Sequence, residues 1–337
     1  MAQAGTTTVD DAGASERGKL ARARFASLMQ KQGALAALAL VCLFAAVRYD
    51  SFLTPENLLN IMRQNTMLGL AALGMTFVIL TGGIDLSVGS LLAVAGVIAA
   101  NLAERGLFVA LFAAVAVTTL LGLINGVVIA KARIQPFIVT LAMMIAARGL
   151  ALAATGEDSV RVGRLAGGFT ALGRGVLDFG VFDVPIPIVI LLVAFIIGWV
   201  VLNHTRFGRH VFALGDNDEA ARLMGLNVGR VTLGVYALSG TLAGLAGVIL
   251  ASRLGAGQPV AGVGIELDAI AAVVVGGTLL TGGQGGVGPT LVGVLLLGVI
   301  LNLFTQEGTI SPWWQLVLRG VILLAVVLVQ NRLSQRE

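Results

Sequence analysis

Between Gly33 and Val329 the chain is a succession of apolar runs, each near the length of a membrane-crossing helix and parted by short polar or glycine-rich breaks. A helix needs roughly 20 apolar residues to cross the hydrocarbon core. About ten runs approach that length, at 33–52, 58–80, 84–103, 107–130, 136–154, 186–203, 231–252, 265–280, 287–305 and 313–330. Several are short or interrupted by glycine, so eight or nine full crossings also fit. Backbone groups in lipid must bond within the protein, so the runs predict an all-α integral membrane protein. Of 337 residues, 57% are hydrophobic and 12% charged, about half the roughly 25% charge of a soluble domain. The 45 glycines suit a bundle whose backbones approach closely.

Charge placement orients the chain. Arg17, Lys19, Arg22, Arg24 and Lys31 precede the first run, and Lys131, Arg133, Arg206, Arg209, Arg222, Arg230, Arg332 and Arg336 fall on the same side of a ten-crossing count. Arg48, Arg63, Arg105, Arg161, Arg164, Arg174 and Arg253 fall opposite. The excess predicts cytoplasmic N- and C-termini. Residues 1–32 are expected to be a disordered cytoplasmic tail, 33–330 the membrane domain, and 331–337 a C-terminal tail. No small-x-small cleavage pattern follows the first run, so it reads as a retained helix rather than a signal peptide. The loop at about 155–185 reads as a surface loop with short structure, able to meet a partner. No basic stretch is interleaved with aromatics, which argues against nucleic acid. Cys42, the single cysteine, lies in an apolar run, and His204 and His210 have no ligand-type neighbours at metal spacing, so no metal is expected.

The chain also matches itself at an offset of about 171–181 residues. Gly83-Ile84-Asp85-Leu86-Ser87 answers Gly264-Ile265-Glu266-Leu267-Asp268, and Leu121-Gly122 with Asn125 answers Leu297-Gly298 with Asn302. Ile134-x-Pro136 answers Ile310-x-Pro312, and Arg148-Gly149 answers Arg319-Gly320. Paired helices lie five apart, so halves of about 58–154 and 231–330 would be inverted, with the transport route at their interface. A rival register pairs Thr81-Gly82-Gly83 with Thr281-Gly282-Gly283 but matches less sequence downstream. Helix breaks and candidate path residues are Gly82, Gly83, Asp85, Ser87, Gly89, Gly264, Glu266 and Asp268, with Asn125 and Asn302. Asp85 reads either as an N-cap for a helix Leu86–Leu102 or as a group meeting substrate or a coupling ion. Glu266 and Asp268 carry the same two readings, and docking of a partner is a third for all of these acidic residues. The asparagines suit interhelical hydrogen bonds, or a path lining. Arg148 and Arg319 read either way, lining a path or snorkelling to an interface.

In the longest cytoplasmic loop, Phe207–Arg230, Asp216, Asn217 or Asp218 can cap a two-turn helix that ends at Gly225. Glu219-Ala220-Ala221-Arg222-Leu223-Met224-Gly225 resembles the EAA loop of ABC importer permeases. Gly69–Asn101, Ile134–Gly149 and Gln258–Gly286 are similar to the ribose-type sugar permeases, in the branched-chain amino acid/ribose permease superfamily, and the likeness runs from about Pro55 to Val329. It implies a type II-like importer permease of the bacterial inner membrane. Two copies would form the path, ABC ATPase subunits would dock on the 207–230 loop, and a periplasmic or lipid-anchored binding protein would deliver ribose or a related sugar. It also implies alternating access, with the Glu219–Gly225 helix moving as the ATPase pair closes. None of Lys19, Lys31 and Lys131 is followed by Ser or Thr, so the chain carries no P-loop. ATP and magnesium are expected on the partner and no cofactor on this chain. The alternatives are a secondary transporter or channel for a small polar solute, which would place an ionisable group deep in a span, and a membrane-embedded enzyme, for which no HExxH or GxSxG motif occurs.

Overall fold

The computed structural model describes residues 33–163, 166–178, 180, 183–308, and then 311, 313, 314, 316–318, 320, 321 and 324. Arg319 and the two tails, 1–32 and 331–337, fall outside the described residues.

Helix α11 (Val228–Leu254) sits at the centre, packed on α3 (Thr66–Leu80), α4 (Val88–Leu102) and α5 (Leu107–Ala132). Small residues make this possible. A Cβ at Gly240 would strike the Thr118 backbone and pass 3.3 Å from Gly122 Cα, and one at Gly122 would strike the Tyr236 backbone. Gly126 against Leu233 and Gly244 against Thr118 extend the seam, so each helix offers glycines four apart to the other. Thr119 and Thr241 hydroxyls close it with a 2.8 Å hydrogen bond. In lipid, such close packing and interhelical hydrogen bonds replace the hydrophobic drive.

All fifteen residues of α3 are buried, as is nearly all of α4. Around this core lie α5, α6 (Pro136–Thr155) and α8 (Ile186–His204), whose outer faces show Phe112, Leu120, Ile145 and Ile196. Six of the described helices are long and apolar enough to cross a membrane. The first described helix, α1 (Gly33–Arg48), and α3 are shorter apolar helices.

Two expected runs are broken. The 58–80 run divides into α2 (Pro55–Gln64) and α3 at Asn65, whose side-chain amide donates back to the Ile61 carbonyl at 2.7 Å and leans on Gly298. The 265–280 run holds only α12 (Ile265–Val275), after which a glycine-rich turn leads into α13 (Val287–Glu307). The 204–230 loop is itself helical, as α9 (Arg206–Asp216) and α10 (Asp218–Leu223). His204 ends α8 with its ring tilted against that of Trp199, while His210 lies within α9.

At one end of the bundle, α7 (Gly167–Arg174) is tied to α11 by Ser252, whose hydroxyl donates to the Phe169 carbonyl and accepts from the Gly173 amide. Strands β1 (Val160–Arg161) and β4 (Ala256–Gly257) pair antiparallel, and β2 (Val176–Asp178) and β3 (Asp183–Pro185) form a hairpin. We call this the hairpin end. Tyr49 donates to Glu307 there. The opposite end carries α9, α10 and the α5–α6 turn.

Overpacking a tight site costs about 1–3 kcal/mol. Gly240→Ala and Gly122→Ala should each lower the thermal stability of detergent-solubilised protein by about that much. Gly149→Ala, whose new methyl meets open space, should shift it by no more than about 0.5 kcal/mol in the unfavourable direction. Equal losses in all three would remove the seam from its central place.

Candidate functional site

Three groups of residues carry polar chemistry in this apolar bundle. The first surrounds the α3–α4 break. Helix α3 ends at Leu80, Gly82 takes φ +75°, and α4 begins only at Val88. The N-cap position of α4 is therefore Ser87, not Asp85, and it makes no side-chain capping bond. Asp85 instead folds the break upon itself and fastens it to α11. Its Oδ1 accepts from the Ser87 amide at 2.9 Å and hydroxyl at 2.6 Å, and its Oδ2 accepts from the Ser239 hydroxyl at 2.7 Å. Asn125 on α5 donates to the Ser87 hydroxyl at 3.1 Å. Asp85, Ser87 and Asn125 are fully buried and Ser239 nearly so. Unmade bonds in such a setting are expensive, which explains the density of this network. On α6, Thr140 donates to the Ile84 carbonyl at 3.1 Å.

A second group lies toward the hairpin end. Gly264, at φ +86°, precedes α12 and donates its amide to Glu266 at 3.1 Å. Glu266 and the backbone at Gly262 sit directly on Gly89 of α4, where a Cβ would have no room. Arg148 on α6 donates from one guanidinium nitrogen to the carbonyls of Pro259 and Ala261, at 2.5 and 2.7 Å. Asp268 is half-buried in the first turn of α12. The acidic residues of the two motifs thus occupy different places, Asp85 in the core and Glu266 at a loop held by Arg148. Asn302 stands apart from both, exchanging hydrogen bonds with Asn57 on α2 at 2.8 and 3.3 Å.

The third group is α10. Asn217 caps it by accepting from the Ala220 amide at 2.9 Å, and Asp218 pairs with Arg222 at 3.3 Å. Gly225, at φ +81°, ends it, with the Leu226 amide bonding to the Ala221 carbonyl. Of the sequence Glu219 to Gly225, only Ala221 is buried. Leu223 and Met224 are 85% and 70% exposed. Two large apolar side chains on a capped helix too short to bury them form a projecting knob.

Between the knob and the break lies a cavity of about 780 Å³, lined in part by Gly82, Gly83, Arg133, Gln135, Asn227 and Tyr236. The Tyr236 hydroxyl, buried beside Gly83, has no protein partner among the described residues. Tyr236 and Ser239 were not singled out from the sequence. A serine inside a long apolar run is the only signal there, and it does not say which carboxylate it meets. Among the described residues, no cluster of three or more His, Cys, Asp or Glu side chains is placed to hold a metal.

Comparison with known proteins covers nearly the whole fold. The family model for the branched-chain amino acid transport system / permease component matches residues 57–327. The chain is 42% identical over 311 residues to the ribose import permease protein RbsC of Escherichia coli K12, covering 90% of this chain and 94% of that one. It is 42% identical over 315 residues to the RbsC of Bacillus subtilis 168, covering 93% and 96%. The L-arabinose ABC transporter permease protein AraH of Azospirillum brasilense is 36% identical over 312 residues, covering 92% and 90%. No solved structure matches the chain.

The Asp85 network makes a stability prediction. Asp85→Ala strands buried donors and should cost about 2–4 kcal/mol, and Ser239→Ala about 1–2 kcal/mol. The double variant should lose less than the two losses added. Thermal unfolding of the solubilised protein checks this, and strict additivity would show that the two side chains act separately.

Proposed function

The chain belongs to the family of branched-chain amino acid transport system permease components, and from that membership we propose that it is the membrane-spanning subunit of an ATP-binding-cassette importer for ribose or a related monosaccharide. The observation that carries the cargo class is the likeness to ribose and arabinose permeases over nine-tenths of both chains. As a permease component it is a transport subunit, not an enzyme.

We infer a bacterial inner-membrane protein with about ten crossings, cytoplasmic termini and the α9–α10 end in the cytoplasm. α10 is then the helix that docks on the ATPase subunits, and ATP with its magnesium is handled there. Its exposed Leu223 and Met224 support this, because a groove on a partner would bury them. The hairpin end then faces the binding protein, and a second copy of the chain completes the path.

An inverted repeat in a type II-like arrangement also belongs to this reading. Support comes from reciprocal packing: α5 of the first half rests on α11 of the second, while α13 of the second rests on α2 and α3 of the first. Likewise α4 packs on α5, and α12 on α13. In this view Asp85, Ser87 and Asn125 hold the break rather than touch cargo, since they are fully buried and do not line the cavity. Gly89, Gly264, Glu266 and Asp268 belong to the outer mouth, and Asn302 fixes α13 against α2. Closure of the ATPase pair would move α10 and rock the halves about the path. A neutral sugar requires no buried ion pair along it.

Two measurements test this. Tagged wild-type chain should capture an ABC ATPase from its host, with capture falling about tenfold or more for Leu223→Asp and falling also for Glu219→Ala and Gly225→Trp at equal membrane insertion. Cells that depend on this permease should take up labelled D-ribose, with excess L-arabinose measuring selectivity. No ATPase captured and no pentose uptake would leave a secondary transporter as the better reading.

A further inference from the structure

The α9–α10 end contains a junction in which three backbone segments touch directly at Gly215. Helix α9 ends with Gly215 and Asp216, and a single extended residue, Asn217, separates it from α10. Gly215 lies against the Leu80 carbonyl, where α3 ends, and against the Gly283 amide in the α12–α13 turn, and has no room for a Cβ beside either. Those two segments are joined directly, the Gly283 amide donating to the Leu80 carbonyl at 3.0 Å. A Cβ on Gly282 would lie 2.9 Å from the Gly82 nitrogen and 3.1 Å from the Gly215 Cα and carbonyl oxygen. The Asp216 carboxylate rests on Gly283. Gly282 and Gly283 take φ of +90° and +73°, values that L side chains adopt only with strain.

Buried Val211 and Leu214 fix α9 to the bundle, so a push on α10 reaches this junction with one residue of slack. On the other side of it stand the Asp85-held break that starts α4 and the turn that starts α13. Where Gly215 packs on the Leu80 and Gly283 backbone, no rotamer change is available to absorb a displacement. The junction either shifts as a unit or separates, which is the behaviour of a two-state coupling element.

We propose that the contact of Gly215 and Asp216 with Leu80 and Gly283 is the point where movement of α10 is delivered to both halves of the membrane domain at once. The proposal rests on the reading of α10 as the ATPase-docking helix. Gly215 and Asp216 are positioning residues, since they touch neither cargo nor nucleotide. The Thr81-Gly82-Gly83 and Thr281-Gly282-Gly283 segments, which look like repeat partners in sequence, are here physical partners.

The test uses the whole complex captured from its host, reconstituted in liposomes with its binding protein and D-ribose, and reads both ATP hydrolysis and sugar uptake. Gly215→Ala forces the three segments apart. Asp216→Ala removes atoms and adds none, so it keeps the fold if the glycine variant does not. Each should capture ATPase at the wild-type level and continue to hydrolyse ATP, while ribose moved per ATP falls by about tenfold for the first and severalfold for the second. Gly149→Ala, in open space, should keep the wild-type ratio. Variants that capture ATPase normally and keep the wild-type ratio overturn the proposal, as does a parallel loss of hydrolysis and uptake in Asp216→Ala. A wild-type chain that captures no ATPase overturns the underlying reading of α10 instead.

Discussion

The rest of the structure hangs on the backbone contact between α5 and α11. Glycines four apart on both helices bring the chains close enough for Gly122 and Gly240 to pack on one another's main chain. That approach sets the depth at which α11 meets α4 and α3. With α11 so placed, Ser239 reaches the Asp85 carboxylate and Tyr236 comes to lie beside Gly83. A wider seam would leave the α3–α4 break without its cross-link to α11, and a broken helix in lipid survives only when its freed polar groups are met elsewhere. Geometry and polar satisfaction are one requirement here, not two.

Polar groups in this bundle secure irregular backbone more than they decorate a channel. Asp85 holds one break, Glu266 and Arg148 hold the loop before α12, and Asn65 turns back on its own helix at the α2–α3 joint. Asp85 and Glu266 sit where helical hydrogen bonding lapses, and Arg148 reaches such a stretch from within α6. Ordinary spans such as α8 carry none of this machinery and face outward with Ile196 and Ile197.

The apolar runs, the breaks near Asp85 and Gly264, and the capped helix ending at Gly225 were legible because each is written locally, in composition or in a few adjacent residues. Asn65 was not, since the short polar stretch Arg63–Thr66 inside a longer apolar run does not announce a joint until Gly298 is seen making space for Asn65. Helix α9 was hidden by its mixture of charged and apolar residues, which outside the bundle reads as loop. Asp85 read either as a cap for α4 or as a group meeting substrate or an ion, and its cross-bundle bond to Ser239 depends on a contact 154 residues distant that no local pattern encodes. The resemblance between Thr81-Gly82-Gly83 and Thr281-Gly282-Gly283 offered only a rival repeat register, yet the two segments lie in contact. Their likeness answers a shared steric demand at one junction.

The central position of α11 has a consequence for how the protein is made. Helices α3, α4 and α5 leave the ribosome well before α11, and everything between Ala132 and Val228 must follow before their partner exists. Until then the glycine face of α5 waits for its mate, and the Asp85 carboxylate has its Ser87 bonds but not the one from Ser239. The nascent chain therefore passes through a stage in which its most intimate surfaces are its most vulnerable.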